Sequence, residues 1–389
     1  MNQYSSSGPR RRLLASCTLA VLAAGTGWPT SAANATTTYA YVGSRTTKER
    51  NARGEGLSVF HVDATGIWTQ VQLIKNLVNP SFITLDRKQR RLYVVHGDHS
   101  EVSAFAIDPF SGKLTFMNRQ STGGKNPVHL AVDPANHFLF VANYATGSIA
   151  TLPINADGSL ASATSLVTLP GEPGPHKVQQ TGSHPHQVMF DPSGRYLLVP
   201  DKGLDRVFSY SIHPQSGALL PAEVPSVAAR SGSGTRHIAF HPRLPYAYVM
   251  NELNSSVTTY AWNANEGALT PMQVLPTTPA SNIDENTGAG IICSANGKFV
   301  YGSNRGHDSV AIYHVNQESG LLEVVGWQPT GGNGPRFITI DPDSQFLYAA
   351  NENSDTISRF RMNPANGALT PAGEPIATGS PVCIVFARY

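Results

Sequence analysis

HPHQVMFDPSGRYLLVPD, residues 184–201, sets two apolar runs on either side of a D-P-S-G turn and closes on an acidic residue. The same phrase returns along the chain: NPSFITLD with LYVVH from Pro80, NPVHLAVDP with LFVAN from Pro127, GTRHIAFHP with AYVMN from Thr235, GAGIICSAN with VYGSN from Gly288, and GPRFITIDP with LYAAN from Pro335. SPVCIVFA at Pro381 is a seventh opening. Successive anchors lie 47, 58, 50, 53, 47 and 46 residues apart, and self-similarity at such a period marks a β-propeller or a solenoid.

Each period holds four short strand-like runs, for example HQVMFD, YLLVPD, RVFSYSIH and LLPAEVP, separated by turns such as DPSGR and HPQSGAL. Four strands make one propeller blade. TYAYVGS, GLSVFHV and TQVQLIKNL near the N-terminus supply a second, third and fourth strand, and PVCIVFARY supplies a first. The two ends are therefore expected to share a blade, which makes seven and leaves no free sheet edge at the closure. Helical periodicity is absent outside the N-terminus, so the reading is all-β: a seven-bladed propeller of four-stranded antiparallel blades over residues 36–389.

Composition agrees. Charged residues are 14 %, 35 glycines and 28 prolines suit a chain of many tight turns, and the formal net charge is +2. No basic face with interleaved aromatics marks a nucleic-acid partner. In residues 1–35, Arg10, Arg11 and Arg12 precede an apolar stretch from Leu13 to Ala24, and Ser31, Ala32, Ala33 and Ala35 follow. That layout is an export signal, and the protein is expected in the periplasm or outside the cell, with a twin-arginine route left open. The stretch is too short for the ~20 residues of a membrane span. Leu14 to Cys17 resembles a lipoprotein cleavage box but lacks the apolar region that should precede it. Cys293 and Cys383 then remain, on first strands with a whole blade between them, and are expected to be unbridged buried thiols. No cofactor or metal is expected, since no tight ligand spacing occurs and H-P-H alone is a weak signal. The protein is expected to be a monomer.

Consecutive strands run antiparallel, so the start of each first strand and the end of each second crowd round one mouth of the channel. After the second strands the chain reads Ser44-Arg45, His96-Gly97, Asn143-Tyr144, Asp201-Lys202, Asn251-Glu252, Asn304-Arg305 and Asn351-Glu352. The Asn column is expected to close local turns through its side chains. The column beside it changes chemistry from blade to blade, as a site assembled from several blades would. Candidates there and at the first-strand openings are His184, His186, Arg236, Glu252 and Arg305. Two arginines grip a carbonyl or carboxylate, a histidine moves a proton near neutral pH, and a carboxylate orients it. Such a set suits lactone chemistry, where charge develops on a carbonyl oxygen. Asn304 and His237 are counted as substrate-contacting neighbours, although His237 and His129 are also expected to turn into blade packing. No G-x-S-x-G elbow supports a serine nucleophile.

HPHQVMFDPSGRYLLVPDKGLDRVFSY, GTRHIAFHPRLPYAYVMNELNSSVTTY, SNRGHDSVAIYHV and GPRFITIDPDSQFLYAANENSDTISRF together resemble the seven-bladed lactonase family, which includes propeller-type 6-phosphogluconolactonases and carboxy-muconate lactonizing enzymes. The resemblance runs from Tyr39 to Tyr389. It implies a His, two Arg and a Glu round the channel, matched by His186 or His184, Arg236, Arg305 and Glu252, and it adds Arg206 and Arg336 as substrate-positioning or structural residues. It also implies a small lactone or carboxylic acid as substrate. Export points away from a phosphorylated intermediate, towards an unphosphorylated sugar lactone or an aromatic-pathway lactone. The alternatives are a lactone-forming cycloisomerase and a non-catalytic ligand- or protein-binding propeller. The loops 171–182 and 46–56 exceed ordinary blade turns and are candidate covers for the channel.

Overall fold

A computed structural model describes residues 36–389; the export signal read in residues 1–35 lies outside the described residues. Seven antiparallel sheets form the ring. Blades 1 to 6 follow the chain over residues 80–121, 127–168, 185–228, 235–276, 287–329 and 335–377, and the outer strand of blade 6 is in two pieces. Blade 7 takes its inner strand, Pro381–Arg388, from the C-terminal end and its other three, Thr38–Ser44, Gly56–Val62 and Trp68–Lys75, from the N-terminal end. The seam runs in register from Thr38 against Arg388 to Gly43 against Cys383, and Ser44 then pairs with Pro381 after a one-residue shift.

The repeated letters have local causes. The Asp of the D-P turn accepts from the backbone that starts the second strand, as Asp133 does from His137 N and Phe138 N and Asp341 from Gln345 N and Phe346 N. Second-strand tyrosines bury their rings between blades and donate their hydroxyls to the next blade: Tyr41 to Gly112 O, Tyr93 to Gly158 O, Tyr248 to Gly320 O and Tyr301 to Gly367 O. Apolar layers fill the space between blades, for instance Tyr41, Leu57, Ile83, Leu92 and Phe105 between blades 7 and 1. The Asn column closes turns as expected: Asn251 and Asn351 each donate to two hydroxyls of the following strand. Cys293 and Cys383 are free.

One irregularity repeats and decides the site. In every blade the pairing of first and second strands slips by one residue just after the anchor: between Pro80 and Phe82, Pro127 and His129, Thr235 and His237, Gly288 and Ile291, Pro335 and Phe337, and across Pro381 and Cys383. In blade 3 the slip is again one residue but the irregular stretch is longer, so that regular pairing is confined to Met189–Phe190 and a single bridge at Pro185. A bulge leaves one residue out of the ladder and re-aims its side chain. The bulged residues are Ser81, Val128, His186, Arg236, Ala289, Arg336 and Val382, and six of the seven line the same neck of the channel.

Candidate active site

The bulge also reverses side-chain parity, so the residue after it faces the channel as well. Phe82, His129, His237 and Phe337 meet there as a plug. The Phe82 and His129 rings are 4.0 Å apart, Phe82 and Phe337 5.7 Å, and His129 and His237 5.7 Å. His129 and His237 therefore lie across the channel, not in blade packing as the alternation of a regular strand would have it. Below the plug, towards the D-P turns, is a cavity of about 970 Å³ walled mainly by apolar side chains such as Met189, Ile291, Ile340 and Phe386. It is the larger space, but the titratable groups converge above the plug.

The upper mouth is a cavity of about 190 Å³ bordered by Arg45, Arg50, Tyr144, His186, Lys202, Glu252 and Arg336. Glu252 is its buried centre. Its Oε1 lies 2.9 Å from Lys202 Nζ, and its Oε2 lies 2.9 Å from Arg236 Nε and 3.2 Å from Arg305 Nη2. Burial alone would raise its pKa, but Arg305, Lys202 and Arg236 outweigh burial and hold the carboxyl well below the usual range. Arg236 is buried and donates from Nη1 to the carbonyl of Ala289 at 2.7 Å, so blade 5 contributes backbone where blade 4 contributes side chain. Glu352 stands opposite, 3.8 Å from Arg45 Nε and 3.7 Å from Arg336 Nη1.

His186 enters from its bulge between these groups. Its ring is 5.2 Å from that of His237 and 5.7 Å from that of Tyr144, and its Nδ1 has no hydrogen-bond partner. Burial first, then Arg236, Arg336 and Lys202, push its pKa well below the ordinary histidine value, so the imidazole is neutral at pH 7. Glu252 does not touch His186. Its oxygens are occupied by Lys202, Arg236 and Arg305, and the expected role of orienting the histidine becomes one of fixing the cations.

Of the other candidates, Arg336 borders the mouth and His237 belongs to the plug. His184 lies flat on Tyr144, ring centroids 4.6 Å apart, and its Nδ1–H donates to the Tyr144 carbonyl at 2.9 Å. Two candidates are placed elsewhere. Arg206 begins the third strand of blade 3 and donates to Ser226 Oγ on the outer strand at 3.1 Å. Asn304 is spent on the connection between blades 4 and 5: Nδ2 donates to Thr277 O at 2.6 Å and Oδ1 accepts from Asn286 Nδ2. Arg45, Lys202 and Tyr144 also border the mouth; the motifs did not single them out, although all three stand in the variable column after the second strand.

Both long loops reach the mouth. In 171–182, Gln179 Oε1 accepts from Lys202 Nζ at 2.8 Å and Gln180 anchors to Lys202 O. In 46–56, the 3-10 turn Lys48–Arg50 places Arg50 on Asp98. Among the described residues no cluster of three or more His, Cys, Asp or Glu is arranged to hold a metal ion.

Comparison with known proteins agrees with this fold. The family described as "Lactonase, 7-bladed beta-propeller" matches residues 39–386. The 6-phosphogluconolactonase of Bacillus subtilis is 35% identical over 349 residues, 89% of this chain and 97% of that one. A putative 6-phosphogluconolactonase of Bacteroides fragilis superposes with a TM-score of 0.83 at 30% identity, over 90% of this chain and 98% of that one. The periplasmic gluconolactonase of Pseudomonas aeruginosa superposes with a TM-score of 0.82 at 30% identity, over 90% and 99%. With its ring of seven blades and this extent of likeness, the chain belongs to the seven-bladed β-propeller lactonase family.

Proposed function

We propose that the upper mouth opens a sugar lactone of the gluconolactone kind by water attack, with His186 as the base. The observation that carries this is a buried, neutral imidazole with a free Nδ1 set among Arg236, Arg336 and Lys202. The neutral histidine accepts a proton from water as the water oxygen bonds to the lactone carbonyl carbon, and the negative charge that develops on the lactone offsets the cations that otherwise disfavour the imidazolium. Negative charge gathers on the carbonyl oxygen, where Arg236, held by Glu252, supplies fixed donors. Collapse breaks the bond between the acyl carbon and the ring oxygen, the ring oxygen takes the proton back from His186, and the hydroxy acid so formed releases its carboxyl proton to solvent, leaving a hydroxy-carboxylate facing the same arginine.

The names borne by the relatives, 6-phosphogluconolactonase and gluconolactonase, support opening a lactone over forming one. The test is pH-stat hydrolysis of a lactone panel by the wild type and by His186→Gln. The substitution should lower kcat by roughly 10²–10⁴-fold with little change in Tm; an unaltered rate would remove His186 from the mechanism. Export of the protein, supported by the arginines and apolar run of residues 10–24, predicts that deleting residues 1–35 traps the protein in the cytoplasmic fraction. Light scattering should give the mass of one chain.

A further inference from the structure

We infer that the lower cavity is a second binding site, for a neutral apolar molecule with an aromatic or hydrocarbon body, entered from the face of the D-P turns. The inference does not depend on the lactonase reading above.

The first strands of the blades build two tiers of the channel. In the upper tier Phe82, His129, His237 and Phe337 fill it as the plug. Strand alternation returns to the channel two residues further on, and there the chain withholds bulk: Thr84, Ala131, Met189, Ala239, Thr339 and Val385 wall a space of about 970 Å³. Pockets of that size take small organic molecules. Phe190, Phe240, Ile340 and Phe386 border the same space and stay partly exposed. Apolar side chains left within reach of water, in a concave space, mark a ligand site rather than a core. Phe82, His237 and Phe337 are at once the roof of this cavity and the floor of the neck, so the two sites share one layer of side chains without sharing a ligand.

Charge selects the occupant. Arg87 and Asp191 are the ionic side chains at the border, and both are engaged. Arg87 donates from Nη2 to Val132 O at 2.8 Å and from Nε to Asp133 O at 3.2 Å. Asp191 accepts from Ser193 Oγ and from the backbone N–H groups of Ser193 and Tyr196. His129 is neutral, pushed down to about 3 by burial and then by Arg236, and burial pushes the Cys293 thiol up to about 12. A charged ligand would leave water and meet no free counter-ion, whereas a neutral one gives up little. The entrance is preformed. Pro134, Pro192 and Pro342, from the turns of blades 2, 3 and 6, stand at its edge, and their fixed φ stiffens those turns. Two of the turns are in close contact, since a Cβ at Gly194 would lie 2.4 Å from Pro134 Cγ.

The experiment titrates the full chain with N-phenyl-1-naphthylamine, a neutral probe whose fluorescence rises in apolar surroundings. The wild type should bind it saturably, and the 8-sulfonate of the same ring system should displace it only at concentrations higher by roughly tenfold or more. Ala131→Phe and Thr339→Phe fill the space and should each weaken the probe by roughly ten- to a hundredfold, the range for overfilling a packed site, with native circular dichroism. Thr339→Asp adds charge without bulk; it should also weaken the probe, and it decides the matter if the larger side chains disturb folding. His186→Gln, in the neck, should leave binding unaffected. The site is overturned by absence of saturable binding, by binding that the cavity variants retain, by a sulfonate that competes on equal terms, or by a loss in His186→Gln as large as theirs. A cavity occupied instead by a second copy of the chain would give a dimer in light scattering and no probe uptake, which also overturns it.

Discussion

Glu252 and Glu352 occupy the same place in blades 4 and 6. Each follows the Asn that ends a second strand, each backbone N–H donates to a glycine carbonyl, Gly234 or Gly334, and each faces an arginine from its own blade's bulge, Arg236 or Arg336. Their surroundings nonetheless differ. Glu252 is the more buried, side chains 10% against 20% exposed, and holds three cations at 2.9–3.2 Å, whereas Glu352 has two at 3.7–3.8 Å. The cause lies in the neighbouring blades. Blade 3 brings Lys202 to Glu252, and Arg305 of blade 5, which stands between the two glutamates, pairs with Glu252. Identical backbone thus yields one closed cluster and one open cluster, and the open one has donors to spare.

Glu252→Gln should break the contrast most. It leaves Lys202, Arg236 and Arg305 with no shared anion, at a cost of about 3–5 kcal/mol if the buried cations cannot find another partner. Urea unfolding measures the stability loss, and lactone turnover should fall with it. A variant as stable and active as wild type would mean that Glu252 does not organise the mouth.

Acid should separate the carboxylate from the imidazoles beneath it. Burial, then Arg236, depresses His129 to about 3, and the same two causes lead for His186 and His237. The folded state therefore binds fewer protons than the unfolded state once the pH falls below a free histidine's ~6.5. The stability these rings contribute is fully present above about 6.5 and is lost as pH falls towards their folded values, while Glu252 stays ionised to lower pH still. Tm should decline between pH 7 and pH 4, and His186-dependent activity should keep its acid limb below 6.5. A flat Tm over that range would mean that the plug histidines are not buried neutral.

Glu352→Gln should be the mildest, about 1 kcal/mol or less, because its pairs are long and its side chain is partly wet. Any effect should shrink in 1 M salt. A loss equal to that of Glu252→Gln would show the two clusters to be energetically alike.

The ring was legible because its period is written in residues whose roles are local: the D-P turn, the apolar runs and the closing Asn all act within one blade. The seam was legible for the same reason, since each chain end carries an incomplete set of strands. The variable column pointed to the mouth where Lys202, Arg236 and Arg305 converge on Glu252. What the letters did not convey was choice of partner. Arg45 and Lys202 join the mouth through carboxylates 50 or more residues away, and Arg206 and Asn304, though next to motif residues, bond to Ser226 and to Thr277. His129 and His237 went astray through a single unpaired residue, because a bulge inverts which side of the strand faces the channel and leaves no mark in composition.

The bulge divides the chain into two kinds of position under different selection. A ladder residue is answerable to its own sheet and to the next blade, so a change there is felt as misfolding. The unpaired residue is released from the ladder and aimed at the channel, so a change there is felt first by its neighbours in the neck and by whatever occupies it. Ser81, Val128, His186, Arg236, Ala289, Arg336 and Val382 are thus seven letters that a lineage can respell, one blade at a time, to exchange one ligand for another while the text that folds the ring is inherited unchanged.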